Sequence, residues 1–237
     1  MKRLLLLAIL VACKTSNGDD FPVEPGGPGP GGVGMMLDGP ELDASDPDAM
    51  TTLTGRVCLV KDLRKLTTCE PMGAGNITVK LGTQTALTSA TGAFTITKPG
   101  GSNLVWRASG AAIVSSVFAF GPTNVIPAIG VQDYLDLQGA NGVVLVQGQG
   151  SIVARIVRNN VPQAGATADV PNVTSKYEGG TPLAWTGLAT GAAGTAWIPS
   201  PVPGMNAVTA TPASGTATTE SVLVEDQAIT YVTIDLP

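Results

Sequence analysis

Thr91-Gly92-Ala93-Phe94-Thr95-Ile96 is the stretch that decides the fold of this chain. After the glycine, the apolar residues Phe94 and Ile96 alternate with threonine, a period of two that is typical of a β-strand with one buried face. The same order of residues returns about 100 positions later as Ala193-Gly194-Thr195-Ala196-Trp197-Ile198. A strand motif that occurs twice indicates two similar β units.

Alternating patterns extend outward from this motif. They include Leu53, Val57 and Leu59 in one segment and Ile77, Val79 and Leu81 in another. The chain is rich in Pro (18) and Gly (30), and only 13% of its residues are charged, which favours short strands joined by tight turns. The sequence therefore predicts an all-β body of two tandem antiparallel β-sandwich modules.

Other segments repeat in the same order, and they set the expected module boundaries. The matched pairs are 54–57 with 149–152, 73–79 with 163–170, and 103–110 with 206–215. Between the halves, Val131, Tyr134 and Leu135 have the i, i+3, i+4 spacing of a short amphipathic helix. We predict a first module over 51–129, a connecting helix over 130–141 and a second module over 142–237.

The order of these motifs resembles the carboxypeptidase regulatory-like (transthyretin-like) β-sandwich. In the first half the resemblance rests on Gly55-Arg56-Val57, on 71–79 and on the stretch from Thr91 to Ile96; in the second half it rests on 161–167 and 191–198. Trp197 then stands where that family usually has phenylalanine. The resemblance implies a fold only, because the family supplies no catalytic residues to carry over.

The N-terminus has the layout of a secretory signal. The basic start Met1-Lys2-Arg3 precedes nine apolar residues, 4–12, which as a helix would span about 14 Å of a hydrocarbon core about 30 Å thick. Leu10-Val11-Ala12-Cys13 resembles the bacterial lipobox. That resemblance implies a signal peptide over 1–12, cleavage before Cys13 and lipid on Cys13, including a palmitate-type acyl chain. The alternative is an ordinary secretory signal with an incidental cysteine.

The lipobox also implies a location. A chain that carries lipid on Cys13 would be a membrane-anchored lipoprotein of the cell envelope. Its partner would then be the membrane itself, which it contacts through the lipid on Cys13. Lys14, directly after the cysteine, is similar to the pattern that permits sorting to the outer membrane. We therefore expect an outer-membrane lipoprotein.

The next segment, 14–50, differs in composition from the rest of the chain. It holds six prolines, eight glycines and eight acidic residues against one lysine, whereas 51–237 holds ten residues of each sign. Such a composition predicts a disordered acidic linker. Asp43, Asp46 and Asp48 could instead suggest a calcium loop, but their spacing misses the usual ligand pattern. The neutral body lacks the basic surface that nucleic-acid binding requires.

Two cysteines remain in the body. Cys58 and Cys69 form an even pair in a chain directed to an oxidising compartment, which predicts a disulfide; two free thiols are the alternative. Because Cys58 alternates with core residues, its side chain is expected to face outward. The basic loop 61–65 between the cysteines is either a solvated turn or a partner contact.

The residue inventory argues against catalysis. Histidine is absent, which removes Ser-His and Cys-His nucleophilic systems and every metal site that contains histidine. No phosphate-binding loop occurs, and Asp133 and Asp136 are interpreted as a solvated helix face, with an acid–base pair as the alternative. We predict no catalytic residues, no metal site and no cofactor.

Three tryptophans leave one alternative open. Trp106, Trp185 and Trp197 could contact a ligand if their rings are exposed, because aromatic faces stack on sugars; otherwise they fill a core that is short of large side chains.

The predicted function is a non-catalytic envelope lipoprotein that acts as an interaction or structural module for an unknown protein or glycan partner. The alternatives are a carbohydrate-binding or cell-wall glycan-binding lipoprotein and, third, an enzyme of unfamiliar type.

Overall fold

A computed structural model describes residues 51–72 and 74–237, which belong to one compact unit. The predictions for the signal peptide, Cys13 and the linker, including the three aspartates, lie outside the described residues. Within them, fifteen strands and one helix follow each other. Their bounds are β1 Thr52–Val60, β2 Thr78–Leu81, β3 Gln84–Leu87, β4 Ala93–Thr97, β5 Val105–Gly110, β6 Ile113–Ala119, β7 Val125–Ile129, α1 Val131–Ala140, β8 Ser151–Arg158, β9 Val161–Pro162, β10 Thr167–Asp169, β11 Lys176–Tyr177, β12 Thr195–Pro199, β13 Gly204–Thr211, β14 Thr218–Val224 and β15 Ala228–Asp235.

The first half is a β-sandwich. One sheet has the order β4-β1-β7, and the facing strands have the order β3-β2-β5-β6. Between them lies a core of aliphatic residues with a few aromatic rings, among them Val57, Val79, Phe94, Trp106 and Ile126. The alternation of the sequence is visible in β4, where Phe94 and Ile96 are buried and Ala93 and Thr95 are exposed.

The second half repeats six of these seven strands in the same arrangement. Here β12-β8-β15 corresponds to β4-β1-β7, and β10-β13-β14 corresponds to β2-β5-β6. Its core contains Ile152, Ala196, Ile198, Val208 and Val222. The predicted all-β fold of two tandem sandwiches is confirmed.

Three strand pairings differ from the expected antiparallel pattern. The last strand of each half lies parallel to the first, as β1 with β7 and β8 with β15, and β15 also lies parallel to β6. Each half crosses from one sheet to the other before its last strand. A strand that arrives by such a crossover, and not by a hairpin, can pair in parallel.

The pairing of β15 with β6 joins the two halves. Residues 228–231 pair with residues 115–118, so that the strands β11-β12-β8-β15 continue into β6-β5-β2-β3 as a single sheet. The chain thus places its last strand between the two sandwiches. The two halves are similar in sequence and topology, but they share one hydrogen-bonded sheet.

The repeat extends to single buried hydrogen bonds. Thr88 Oγ1 accepts from the amide of Ile77 at 2.9 Å and donates to the carbonyl of Ala74 at 2.5 Å. In the second half, Thr190 Oγ1 accepts from the amide of Ala166 at 2.9 Å and donates to Gln163 at 2.6 Å. A buried hydroxyl that satisfies both backbone groups at the same turn explains why threonine occupies both positions.

Gly92 and Gly194 begin the strands that decide the fold, and both have positive φ, at 84° and 66°. A side chain at Gly92 would meet the carbonyl oxygen of Val57, and one at Gly194 would meet that of Ile156. Glycine is therefore required twice at this point, both for its φ and for the close approach of the neighbouring strand.

The register of the repeat corrects one detail of the sequence comparison. Arg56 lies opposite Ala93, and Arg155 lies opposite Thr195, so the equivalent of Gly55 is Ala154 and not Gly150. Gly150 precedes β8 and approaches the carbonyl oxygens of Glu225 and Ala228.

A third hydrophobic core lies outside both sandwiches. It combines Cys58 and Val60 of β1 with Tyr134 and Leu137 of α1 and with further residues of the second half: Val153, Trp185, Trp197, Ile229 and Tyr231. Because these strands face a sandwich core on their other side, β12 is buried at all five positions. Sequence reasoning assigned one buried face per strand and so missed this core.

Candidate binding cleft beside the helix

Helix α1 has a different buried face from the one expected. Tyr134, Leu137 and Gln138 are buried, whereas Val131 and Leu135 are 39% and 52% exposed. The spacing of Val131 and Leu135 therefore marks an open apolar face and not the packed one. This apolar face forms one wall of a cleft.

The opposite wall comes from the segment after the helix. We call this space, about 720 Å³ in volume, the α1 cleft. Its apolar lining residues include Ile113, Val114, Val131, Leu135, Val144 and Val146. Val144 and Val146 are themselves strongly exposed, so four exposed large apolar residues gather around one cleft. Such a concentration is typical of a recognition site.

The polar groups of the α1 cleft are mostly neutral amides. Gln138, Gln147, Gln149 and Gln227 line it, and Asp226 is its single charged lining residue in the described part of the chain. Gln149 Oε1 is buried and has no hydrogen-bond partner among the described residues. An unpaired buried acceptor costs about 1–3 kcal/mol. The amides and apolar walls of the lining together suit an apolar ligand that carries a few hydrogen-bonding groups.

A second cleft lies on the other side of residues 143–146. It has a volume of about 490 Å³ and is lined by Val143, Val144 and Val146 together with Val173 and Lys176. Gln149 also lines it. Residues 143–146 thus form a ridge between two clefts.

The floor of the α1 cleft is held by a buried hydrogen-bond network. The Tyr134 hydroxyl donates to Ser151 Oγ at 2.7 Å, and the Trp197 indole N–H donates to the same oxygen at 3.1 Å. Burial raises the pKa of Tyr134, although its hydrogen bonds oppose that shift. A neutral phenol held in this way positions the helix and is not poised as a base.

The predicted disulfide is present. Cys58 and Cys69 are bonded, with their Cα atoms 4.8 Å apart. The expected outward orientation of Cys58 is wrong: its side chain is fully buried in the third core. Cys58 does point away from the first sandwich, but the second half covers that face of β1.

The loop between the cysteines is anchored by packing as well as by the disulfide. Leu63 is buried in the third core, and Arg64 donates to the carbonyl of Gly179 in the second half. Burial alone would raise the pKa of Asp62, but hydrogen bonds and charge from Arg64 outweigh it and hold that pKa below its ordinary value. The loop is therefore held in place through Leu63 and Arg64, while Lys61 and Lys65 remain exposed.

The three tryptophans lie in the core, which corrects their interpretation as ligand contacts. Trp106 packs against Phe94 and Phe120 in the first sandwich. Trp185 and Trp197 pack edge to face in the third core, with ring centroids 6.1 Å apart. All three are at most 1% exposed, so none offers a ring face to a sugar.

Trp197 does not take the place of the family's phenylalanine. Ala196 pairs with Ala154 and faces the second sandwich, while Trp197 points to the opposite face of β12. The structural equivalent of Phe94 is therefore Ala196. A shift of one residue along a strand reverses the face, which moves the indole into the third core.

Asp133 and Asp136 do not form a buried acidic pair. Asp136 is exposed and accepts a hydrogen bond of 2.8 Å from Gln132, and Asp133 is half-buried in the first turn of α1. Among residues 51–72 and 74–237, no group of three or more potential metal ligands occurs. No helix in that same part of the chain is long and apolar enough to cross a membrane.

Comparison with known proteins gave little similarity. No protein-family model matches the chain, and no curated protein matches it. Among solved structures, the D00-D0 domain of Intimin aligns with 73% of this chain and 83% of that chain, at 15% identity and a TM-score of 0.19. At that TM-score the alignment carries no structural argument, and the sandwich fold follows from the strand pairing.

Proposed function

We propose that this chain is a non-catalytic lipoprotein of the cell envelope, anchored through Cys13, whose β-sandwich body is an interaction or structural module. The observation that carries the proposal is the α1 cleft. Its exposed apolar walls and its amide groups favour recognition of a partner over chemistry.

The lining of the α1 cleft limits the class of partner. With Asp226 as its only charged lining residue in the described part of the chain, the α1 cleft favours a neutral or weakly basic ligand with apolar groups. The glutamine amides of the lining can donate and accept hydrogen bonds. An apolar segment of a protein offers both apolar side chains and backbone N–H and C=O groups, so we propose a protein partner.

The non-catalytic part of the proposal is supported by the state of the ionisable groups. The chain has no histidine. Arg64 binds Asp62, Arg107 binds Glu225 at 2.6 Å, and burial raises the pKa of Tyr134 beside the α1 cleft. Because these groups are either ion-paired or kept neutral by burial, they are not free to exchange a proton with a substrate in acid–base catalysis.

The anchor is tested by replacing its acceptor. We expect Cys13→Ser to abolish labelling by radioactive palmitate and to leave an unprocessed precursor, because lipid transfer precedes cleavage in the lipobox family that residues 10–13 resemble. Wild-type protein from the same envelope preparation is the control. Labelled palmitate on the Cys13→Ser chain would contradict the anchor.

The α1 cleft is tested by site-specific photo-crosslinking in the native envelope. A crosslinking amino acid at Leu135, which lines the cleft, is expected to give a discrete adduct with a partner protein. The same amino acid at Leu188, which is more exposed but does not line the cleft, serves as the matched control. Equal adducts from both positions, or none from Leu135, would contradict the proposed site.

A further inference from the structure

The ridge between the two clefts has an unusual composition. Val143-Val144-Leu145-Val146 consists of aliphatic residues, three of them β-branched, and such residues favour strands. These four nevertheless lie outside every helix, strand and turn. Val144 is 85% exposed and lies beside other exposed apolar residues. Soluble monomers rarely expose such a group of apolar side chains.

The backbone in the middle of the ridge is also unpaired. The amide of Val143 donates to Gln138, and the carbonyl of Val146 accepts from Gln149. Between these two bonds, the N–H groups of Val144, Leu145 and Val146 make no backbone hydrogen bond with any described residue. Strand-forming residues with free backbone groups are a template for pairing with another chain.

The charge pattern points to the occupant. No charged residue occurs from Leu137 to Ala154, although natural sequences usually protect such a segment with charges or proline. Two identical charged segments would repel each other across a twofold axis, whereas this segment meets its own copy without that cost. The aliphatic side chains of residues 143–146 would also find apolar side chains to pack against on another copy of the ridge.

We infer that the ridge pairs antiparallel with the ridge of a second copy of this chain, centred on Val144, its most exposed residue, so that Val144 of one copy faces Val144 of the other. In a twofold pair, the backbone groups of one ridge satisfy those of the other. This inference goes beyond the proposed function and does not require the α1 cleft to bind another protein.

Sedimentation velocity of residues 47–237 tests the pairing, because this compact unit contains all three hydrophobic cores. We expect a concentration-dependent monomer–dimer equilibrium. Val144→Lys should weaken association at least about tenfold, since it places two like charges together at an exposed position that has no packing role. Leu188→Lys, at a position of similar exposure, should leave association unchanged.

Two sedimentation results would overturn the inference. One is a monomer at every concentration up to the millimolar range. The other is a dimer that Val144→Lys and Leu188→Lys affect equally, which would place the contact elsewhere. Circular dichroism of both variants should match wild type, so that loss of folding is not mistaken for loss of pairing.

Disulfide trapping tests the same pairing in the full chain. In the envelope, Val144→Cys should form a covalent dimer on mild oxidation, because facing residues of paired strands lie within disulfide range. Leu188→Cys should remain monomeric on a non-reducing gel. If Val144→Cys gives no homodimer while the amides of residues 144–146 resist hydrogen exchange, a segment of the same chain or another protein occupies the ridge, and the inference fails.

Discussion

The hydroxyl of Tyr134 in helix α1 donates a hydrogen bond of 2.7 Å to Ser151, the first residue of strand β8. The serine oxygen also accepts from Trp197 of β12. Ser151 is 1% exposed, and its hydroxyl oxygen accepts both of these hydrogen bonds inside the protein. The helix that connects the two halves is thereby fixed to the sheet of the second half.

Ser151→Ala should destabilise the protein by about 2–4 kcal/mol, because it leaves two buried donors without their acceptor. Urea unfolding monitored by circular dichroism measures this change. Ser221→Ala, on the exposed part of β14, is the matched control and should change the free energy of unfolding by less than about 0.5 kcal/mol. A Ser151→Ala value within the range of that control would show that the network contributes little.

The three tyrosines of the chain should titrate together and only on unfolding. Burial raises the pKa of Tyr134, Tyr177 and Tyr231 above the ordinary value of 10. Above about pH 10 the unfolded chain loses these protons while the folded protein keeps them, so stability falls as pH rises. We expect tyrosinate absorbance at 295 nm to appear in one step, coincident with loss of the circular dichroism signal. A gradual increase near pH 10 in folded protein would contradict this.

Replacing both bonded cysteines, as Cys58→Ala with Cys69→Ala, should lower the free energy of unfolding by about 2–3 kcal/mol, mainly because the unfolded chain gains freedom. The fold should persist, because Leu63 still anchors the loop in the third core. Leu63→Ala in the disulfide-bonded protein should cost about 2–4 kcal/mol through the cavity it leaves. Mass spectrometry of the unreduced protein confirms the bond, and an unchanged melting temperature in the double variant would refute its stabilising role.

Tryptophan fluorescence tests whether a glycan stacks on any of the three tryptophans. Since Trp106, Trp185 and Trp197 are all buried, emission should be blue-shifted and insensitive to acrylamide and to added cell-wall glycans. Unfolding in urea should shift the emission to the red and restore quenching, which provides the control. Saturable quenching of the folded protein by a glycan would revive the carbohydrate-binding alternative.

Much of each sandwich could be predicted from the sequence. Local alternation identified the strands around Phe94 and Val79, and the recurrence of Gly92 as Gly194 indicated two copies. Their order agrees with the paired topology of the two halves. These features were accessible because a period of two and a turn glycine are set by short-range geometry.

The candidate binding site was harder to predict from the sequence. The spacing that drew attention to Val131 and Leu135 correctly predicted a helix but assigned them to its buried face. Val143-Val144-Leu145-Val146 was visible as an apolar run, yet nothing local tells whether such a run enters a sheet. A periodic pattern shows that a face is apolar, and only the neighbouring elements decide whether that face is covered.

The sequence by itself determined the strands, the repeat, the helix and the cysteine pair, because each depends on residues close together in the chain or on a simple count. The tertiary structure alone decided that β15 enters between β8 and β6, and that Cys58 and Trp197 meet in a third core. These contacts join residues more than seventy positions apart, and their free energy comes from burying strand faces that each half alone would leave exposed to water. The open α1 cleft is likewise set by where that shared core ends.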